Sequence, residues 1–382
     1  MTKKELRIVL TGGGSGGHVY PLLAVAEKLE KTAIEKKIYA ELRYFGPADN
    51  YKNVIENAGV KCSPIISGKL RRYFSLLNIL DIPKSFIGFF QALFKIFLFM
   101  PDAVFSKGGT GAFPVVFAAW FHRIPVIIHE SDARPGLNNL LSARFAKRIA
   151  VSFEYAQNYF NPKKTAWVGT PVRTSLLGGK PAKEQAKEEL GFASDQPLIL
   201  ILGGSQGAQR INELIILDLK DLMEITQILH QTGTSNFSEV RELSRTALLD
   251  VAVKTELKNR YQATPYLEDN MKTALSAADL VIARAGSNAI FEIAAFSKPS
   301  ILIPLAESAN DHQRANAYEF AKGGAAIVIE ETNLLPGIFL GQIRETLKNP
   351  ELLAKMSLAS ERFFKPRAAE VIAEEILRVA GL

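Results

Sequence analysis

The residues best suited to chemistry sit in glycine-rich turns that follow apolar runs. Thr11–Leu29 reads TGGGSGGHVYPLLAVAEKL, directly after RIVL. Glycines at such a turn let a phosphate or a sugar approach the main chain, with the N–H groups of the following helix aimed at it. His18 stands in the first turn of that helix, where the positive end of the dipole disfavours an imidazolium and keeps the ring neutral near pH 7. A neutral imidazole beside a bound hydroxyl can take its proton as a general base. A capping or packing histidine is the plainer alternative.

Further along, Gly203–Gly207 reads GGSQG, again between an apolar run and a helix. Ser205 there matches a nucleophile elbow, with Asp279 and His312 following in the order a hydrolase would need. The extra glycine before the serine and the glutamine after it suit a phosphate-cradling turn equally well, and that reading is preferred. In DLVIARAGSNAIFEIAAF, Glu292 falls about one turn into a helix that starts after Gly286. A carboxylate so placed can accept from two vicinal ribose hydroxyls. His312 and Gln313, in PLAESANDHQRANA, are expected on a loop able to reach the same ligand. His129 ends the strand-like run of HESDARPG and could border the site; His122 falls at a helix end, and His230 starts the loop HQTG. No HxxxH, CxxC or D-x-D occurs, so neither a metal nor a cofactor is expected. Gly12, Gly14 and Gly17 also satisfy the dinucleotide pattern G-x-G-x-x-G, which keeps a nicotinamide oxidoreductase as an alternative. Against it, the second strand, YAELRYFGPADN, is followed by no acidic residue nearer than Asp49, and a histidine after the last glycine is foreign to that pattern.

These residues need strands to carry them. Short apolar runs alternate with helical segments twice, each round opening with a glycine-rich turn, which predicts an α/β chain of two doubly wound, Rossmann-like domains facing across a cleft. The boundaries read as residues 1–170 and 171–350, with the polar stretch 171–197 near the hinge. The final segment, 351–382, reads as a helix pair broken at Pro366 that packs back on the first domain.

The chain has 382 residues, 47% hydrophobic and 22% charged, with one cysteine, Cys62. That composition is globular and rules out an intramolecular disulfide, consistent with a reducing setting. MTKKEL leads straight into a strand-like run rather than a secretion signal. The net charge of +7 is uneven, since residues 1–150 carry 21 Lys and Arg against 11 Asp and Glu. One segment, GKLRRYFSLLNILDIPKSFIGFFQALFKIFLFMPD, combines Lys69, Arg71, Arg72, Lys84 and Lys95 with six phenylalanines between Phe86 and Met100. Part of it must be core; the rest suits an anionic membrane surface, so a peripheral membrane role is favoured over nucleic acid binding.

Taken in order, TGGGSGGHVYPLLAVAEKL, SKGGTGAFPVVFAA, IIHESDARPGLNN, VGTPVR, LGGSQGAQRIN and ARAGSNAIFEIAAFSKPSILIPL resemble the GT-B glycosyltransferases, and among them the enzymes that complete the lipid-linked precursor of peptidoglycan. The resemblance implies an inverting transfer of GlcNAc from UDP-GlcNAc to the C4 hydroxyl of undecaprenyl-pyrophosphoryl-MurNAc-pentapeptide (lipid I), forming lipid II at the cytoplasmic face of the cell membrane. By the same resemblance His18 is the base, and Ser15, Gly16 and Gly17 meet the acceptor diphosphate and donor sugar. Arg173 reaches the donor, Ser205 binds its phosphate, and Leu267 offers main chain to the uracil. Ser287, Asn288, Ala289, Ile290, Phe291 and Glu292 line the nucleotide, with Glu292 on the ribose, and Gln313 contacts the GlcNAc hydroxyls. Some members carry asparagine where this chain has Asp132. The nearest alternative is another lipid-acceptor transferase of the same architecture; a non-catalytic nucleotide-sugar binding subunit is an alternative from another class.

Overall fold

The computed structural model describes residues 5–48, 51–66, 76–204, 207–249 and 255–382. The chain divides into two compact units, residues 1–173 together with 365–382, and residues 174–364.

Among the described residues, the first unit is built on strands β1 (Glu5–Thr11), β2 (Tyr39–Gly46), β3 (Lys61–Pro64), β4 (Ala103–Ser106), β5 (Val126–Glu130), β6 (Arg148–Val151) and β7 (Thr165–Trp167). They form one sheet in the order β3-β2-β1-β4-β5-β6-β7, every pair parallel. The second unit repeats the plan with β8 (Leu198–Leu202), β9 (Gln227–Gln231), β10 (Tyr261–Thr264), β11 (Leu280–Ala283), β12 (Ser300–Leu302) and β13 (Ala326–Val328). Its order is β10-β9-β8-β11-β12-β13, also parallel throughout. Helices cover both faces of such sheets, so central strands are continuous apolar runs; LILIL in β8 is buried at all five positions. In each sheet the strand order reverses beside the first strand, and ligands of doubly wound folds bind at the carboxyl ends there. The turn 12–15 lies at that point in the first sheet, and the stretch after Leu202 at its counterpart in the second.

The last helix, Ala368–Val379, belongs to the first unit. Its Ile372, Ile376 and Leu377 are buried against Leu22, Val25 and Leu29 of the helix Gly16–Glu35, in one core with Ile8, Leu10 and Phe105. Burial of that order contributes about 1.5–3 kcal/mol for each large side chain. The expectation that all of 351–382 packs there needs amending. Helix Pro350–Phe363 lies in the second unit, where the Phe363 ring stacks against Phe291 and Phe320 with centroids 5.1 and 4.8 Å away. Those two rings hold it there until the chain breaks at Pro366.

The phenylalanine-rich segment forms the helix Leu76–Phe99. Ala92, Ile96 and Phe99 enter the core, while Phe86, Phe90, Phe94, Phe97 and Leu98 stay exposed. Phe89 packs on Phe117 of the neighbouring helix Ala112–Phe121, whose Trp120 and Phe121 are also exposed. Lys69, Arg71 and Arg72 fall outside the described residues.

Candidate active site

His18 lies in the first turn of the helix Gly16–Glu35, which begins directly after the turn that leaves β1. Ser15 is the residue before the helix, yet its hydroxyl does not cap the main chain. It meets His18 Nδ1 at 2.8 Å. The imidazole is enclosed by two glycine turns: a Cβ on Gly13 would fall 3.0 Å from Nδ1, and one on Gly109 would fall 2.8 Å from Nε2. Gly109 follows β4, the neighbour of β1, and its φ of +83° is itself a glycine conformation. In the tautomer protonated on Nδ1, that proton is donated to Ser15 Oγ and the Nε2 lone pair faces the space beside Gly109. Enclosure by protein lowers the His18 pKa to about 4, with the ammonium of Lys107 adding to the effect and Asp132 opposing it. The ring therefore stands neutral at physiological pH while part of its surface stays open.

Behind His18 lies a buried charged cluster that motif reading did not single out. Lys107 is 1% exposed and Glu130 3% exposed. The Lys107 ammonium donates to the Ser131 hydroxyl. Burial pushes its pKa down, against Glu130 and Asp132, and pushes that of Glu130 up, helped by Asp132. The Glu130 carboxylate accepts from Asp132 N–H, Gly136 N–H and the Asn139 amide at 2.9, 3.1 and 2.9 Å, and so staples the loop that follows β5. His129, expected to border the site, is fully buried; its Nε2 lies 2.9 Å from the Gly169 carbonyl and 3.3 Å from Ser152 Oγ. The Arg173 guanidinium lies over the Tyr20 ring, 4.5 Å from its centroid.

In the second unit, helix Ser287–Ala295 starts directly after Gly286, as the sequence suggests, but its periodicity splits the expected nucleotide-lining run. Ile290 and Phe291 are fully buried in the core and cannot line a ligand with their side chains. Asn288 and Glu292, one turn apart, share the half-buried face, with Ala289 beside Asn288 and Ser287 buried at the start. The Leu267 N–H donates to Gln231 Oε1 at 3.1 Å. Gln313 lies in the first turn of the helix His312–Lys322 rather than in a loop, and its Oε1 accepts from Leu305 N–H at 3.1 Å. Arg284 ties this region together, donating to the Ile303 carbonyl and pairing with Glu331 at 2.6 Å, while Glu331 also accepts from Ala306 N–H. Ser205 falls outside the described residues.

Two further readings are corrected. His230 does not start a loop; it lies in β9, fully buried. Asn212 donates through its amide nitrogen to the Thr232 carbonyl, so its Oδ1 accepts from His230 Nε2–H and the Tyr261 hydroxyl donates to Nδ1. Burial lowers that histidine to about 3, which makes it a neutral strut. Asp279 does not serve a hydrolase triad. It sits at the amino end of β11, bonded to Lys183, Lys187 and the Leu198 N–H, on the edge opposite to the carboxyl end of β8.

Two Rossmann-like domains, with an uncharged histidine in the glycine-rich turn of the first and a carboxylate-bearing helix after a central strand of the second, have the architecture of a GT-B glycosyltransferase. The chain matches the glycosyltransferase family 28 N-terminal domain over residues 8–151 and the family 28 C-terminal domain over residues 198–372, and it belongs to that family. It is 38% identical to a Clostridium kluyveri protein over 89% of this chain and 90% of the relative, and 39% identical to one of Clostridium botulinum over 86% and 87%. Both are described as UDP-N-acetylglucosamine--N-acetylmuramyl-(pentapeptide) pyrophosphoryl-undecaprenol N-acetylglucosamine transferase. Among solved structures, Acinetobacter baumannii MurG is 29% identical, with a TM-score of 0.74 over 98% of this chain and 99% of that one. A Neisseria meningitidis UDP-GlcNAc 2-epimerase, at 16% identity and a TM-score of 0.67, shares the fold.

Proposed function

We propose that His18 Nε2 takes the proton of the acceptor hydroxyl as that oxygen attacks the anomeric carbon of the donor sugar. The reaction is transfer of GlcNAc from UDP-GlcNAc to lipid I, giving lipid II for peptidoglycan synthesis. The observation that carries the assignment is the uncharged imidazole fixed by Ser15 with Nε2 turned to the gap beside Gly109. The C4 oxygen of the muramyl sugar forms the new bond, the anomeric carbon releases UDP, and the configuration inverts to a β-1,4 link. The diphosphate of the acceptor lies on the main chain of Gly16 and Gly17, at the positive end of a 20-residue helix. On the donor side, the leaving charge rests on main-chain N–H groups of the second glycine-rich turn, with Ser205 on the phosphate. Leu267 meets the uracil, Gln313 the GlcNAc hydroxyls, Arg173 the donor diphosphate, and Asn288 and Glu292 the ribose side. The direct test is transfer of labelled GlcNAc to a lipid I analogue; stabilisation by NADH and not by UDP-GlcNAc would overturn the reading.

The ribose assignment has a sharper check. Glu292→Gln is expected to weaken UDP binding about tenfold, the worth of a charge-assisted hydrogen bond. Calorimetry with 2′,3′-dideoxy-UDP, which lacks both hydroxyls, should show little difference between the variant and the parent. An equal loss with both nucleotides would remove Glu292 from the ribose.

We further infer attachment to the cytoplasmic face of the cell membrane. No helix among the described residues is long and apolar enough to cross a membrane. The exposed rings of Phe86, Phe90, Phe94 and Phe97, with Trp120 and Phe121 beside them, support insertion into a headgroup region. The lysines and arginines of the same stretch support anionic lipid, at about 1 kcal/mol each. Replacing Lys84, Phe86 and Phe90 with serine should reduce co-sedimentation with phosphatidylglycerol vesicles at least about tenfold. Unchanged co-sedimentation would end the proposal.

A further inference from the structure

The loop that follows β5 is tied down at several points. Glu130 takes the N–H groups of Asp132 and Gly136, Ala133 is fully buried, and Pro135 is buried as well. Between those anchors Arg134 alone is turned outward. The next strand, β6, is followed by the short helix Glu154–Tyr159, which presents Tyr155 and Tyr159. Their rings meet edge to face at 5.8 Å, 41% and 42% exposed, and the Arg134 charge acts on the Tyr159 phenol. An exposed arginine on an anchored loop, its charge felt by one of two open aromatic rings on the neighbouring loop, suits a peptide whose backbone lies on the rings and whose carboxylate meets the arginine.

The sheet sets the distance from this group to the base. All strands of the first sheet are parallel, so the loops after β1, β5 and β6 lie on one edge. From β1 to β6 there are three strand spacings, about 14 Å. A five-residue peptide extends to about 17 Å. It is joined to the muramyl sugar through its amino end and so finishes in a free carboxylate. A peptide leaving the sugar near His18 therefore has the length to place its last residue at Arg134.

We propose that Arg134, Tyr155 and Tyr159 form the subsite for the acceptor's peptide, with Arg134 binding its terminal carboxylate. The proposal rests on the transferase reading above and adds a specificity determinant to it. The test compares two lipid I analogues, one ending in a carboxylate and one in a carboxamide. With the carboxylate acceptor, Arg134→Gln should raise KM about tenfold and leave kcat and the KM for UDP-GlcNAc unchanged. With the carboxamide acceptor the variant and the parent should agree within about twofold, and Arg134→Lys should recover part of the loss. Tyr155→Ala with Tyr159→Ala should raise KM for both acceptors. An equal effect of Arg134→Gln on the two acceptors, no effect on either, or a fall in kcat would overturn the subsite. If the parent protein transfers GlcNAc to neither analogue, the transferase reading falls first; if it uses both without preference, the subsite alone falls.

Discussion

Replacing His18 with alanine is expected to lower kcat by about 10²–10⁴-fold, the range for removal of a positioned general base, with UDP binding unchanged. The separation follows from the fold. His18 is carried by the first unit, whereas the uracil and ribose readings rest on residues of the second. The pH profile supplies an independent check. A histidine with its ordinary value would lose activity as pH falls through 6.5. With its pKa lowered to about 4, by burial first and by Lys107 second, His18 remains a competent base well below that point. The acid limb of kcat/KM that belongs to this residue should fall near pH 4. Stability follows the same sign: between 6.5 and about 4 the unfolded chain binds a proton that the folded site refuses, so the fold weakens as pH drops through that window. A His18→Ala variant that transfers GlcNAc at the parental rate would remove the base assignment.

Gly109→Ala should be nearly as damaging, although it removes no functional group. The new methyl would lie 2.8 Å from His18 Nε2 and 2.9 Å from both the N and Cα of Gly13. Two of those neighbours are main chain, so relief requires the turns to separate, and the φ of +83° adds strain of its own. Filling the space that Nε2 faces, or shifting the imidazole by about 1 Å, costs about 10²-fold in rate. The expected signature is a collapse of kcat with a lowered Tm and intact UDP binding. Gly337→Ala is the matched control, since nothing lies within 4 Å of its Cβ and it sits inside the helix Pro336–Leu347. That change should be silent or slightly stabilising. Parental turnover in Gly109→Ala would mean that the acceptor hydroxyl does not approach from this side.

Much of the architecture was legible because its signals are local. Alternating apolar runs and amphipathic stretches require only neighbours in sequence, and a glycine-rich turn at the end of a strand announces itself by composition. Thus His18 at a helix start, Glu292 one turn past Gly286 and the helix after Pro366 were each visible in short windows of residues. Runs were misread where a helix's own period divides them: Ile290 and Phe291 belong to the core although they lie between residues of the open face.

By itself the sequence determined two rounds of strand and helix, the turns that suit phosphate and sugar, and the identity of one histidine able to act as base. Tertiary structure decided which charged and polar residues lose water. Lys107, Glu130, His129 and His230 are polar in any sequence window, and Asp279 is a plausible acid in one. Only contacts between strands far apart in the chain bury the first four and tie the last to lysines on the other edge. The same long-range packing brings Gly109 against His18 across 91 positions of sequence, so close that a Cβ there would fall 2.8 Å from Nε2. Desolvation and steric exclusion depend on everything that surrounds a group, which is why a local pattern could single out the histidine but not the environment that keeps it uncharged.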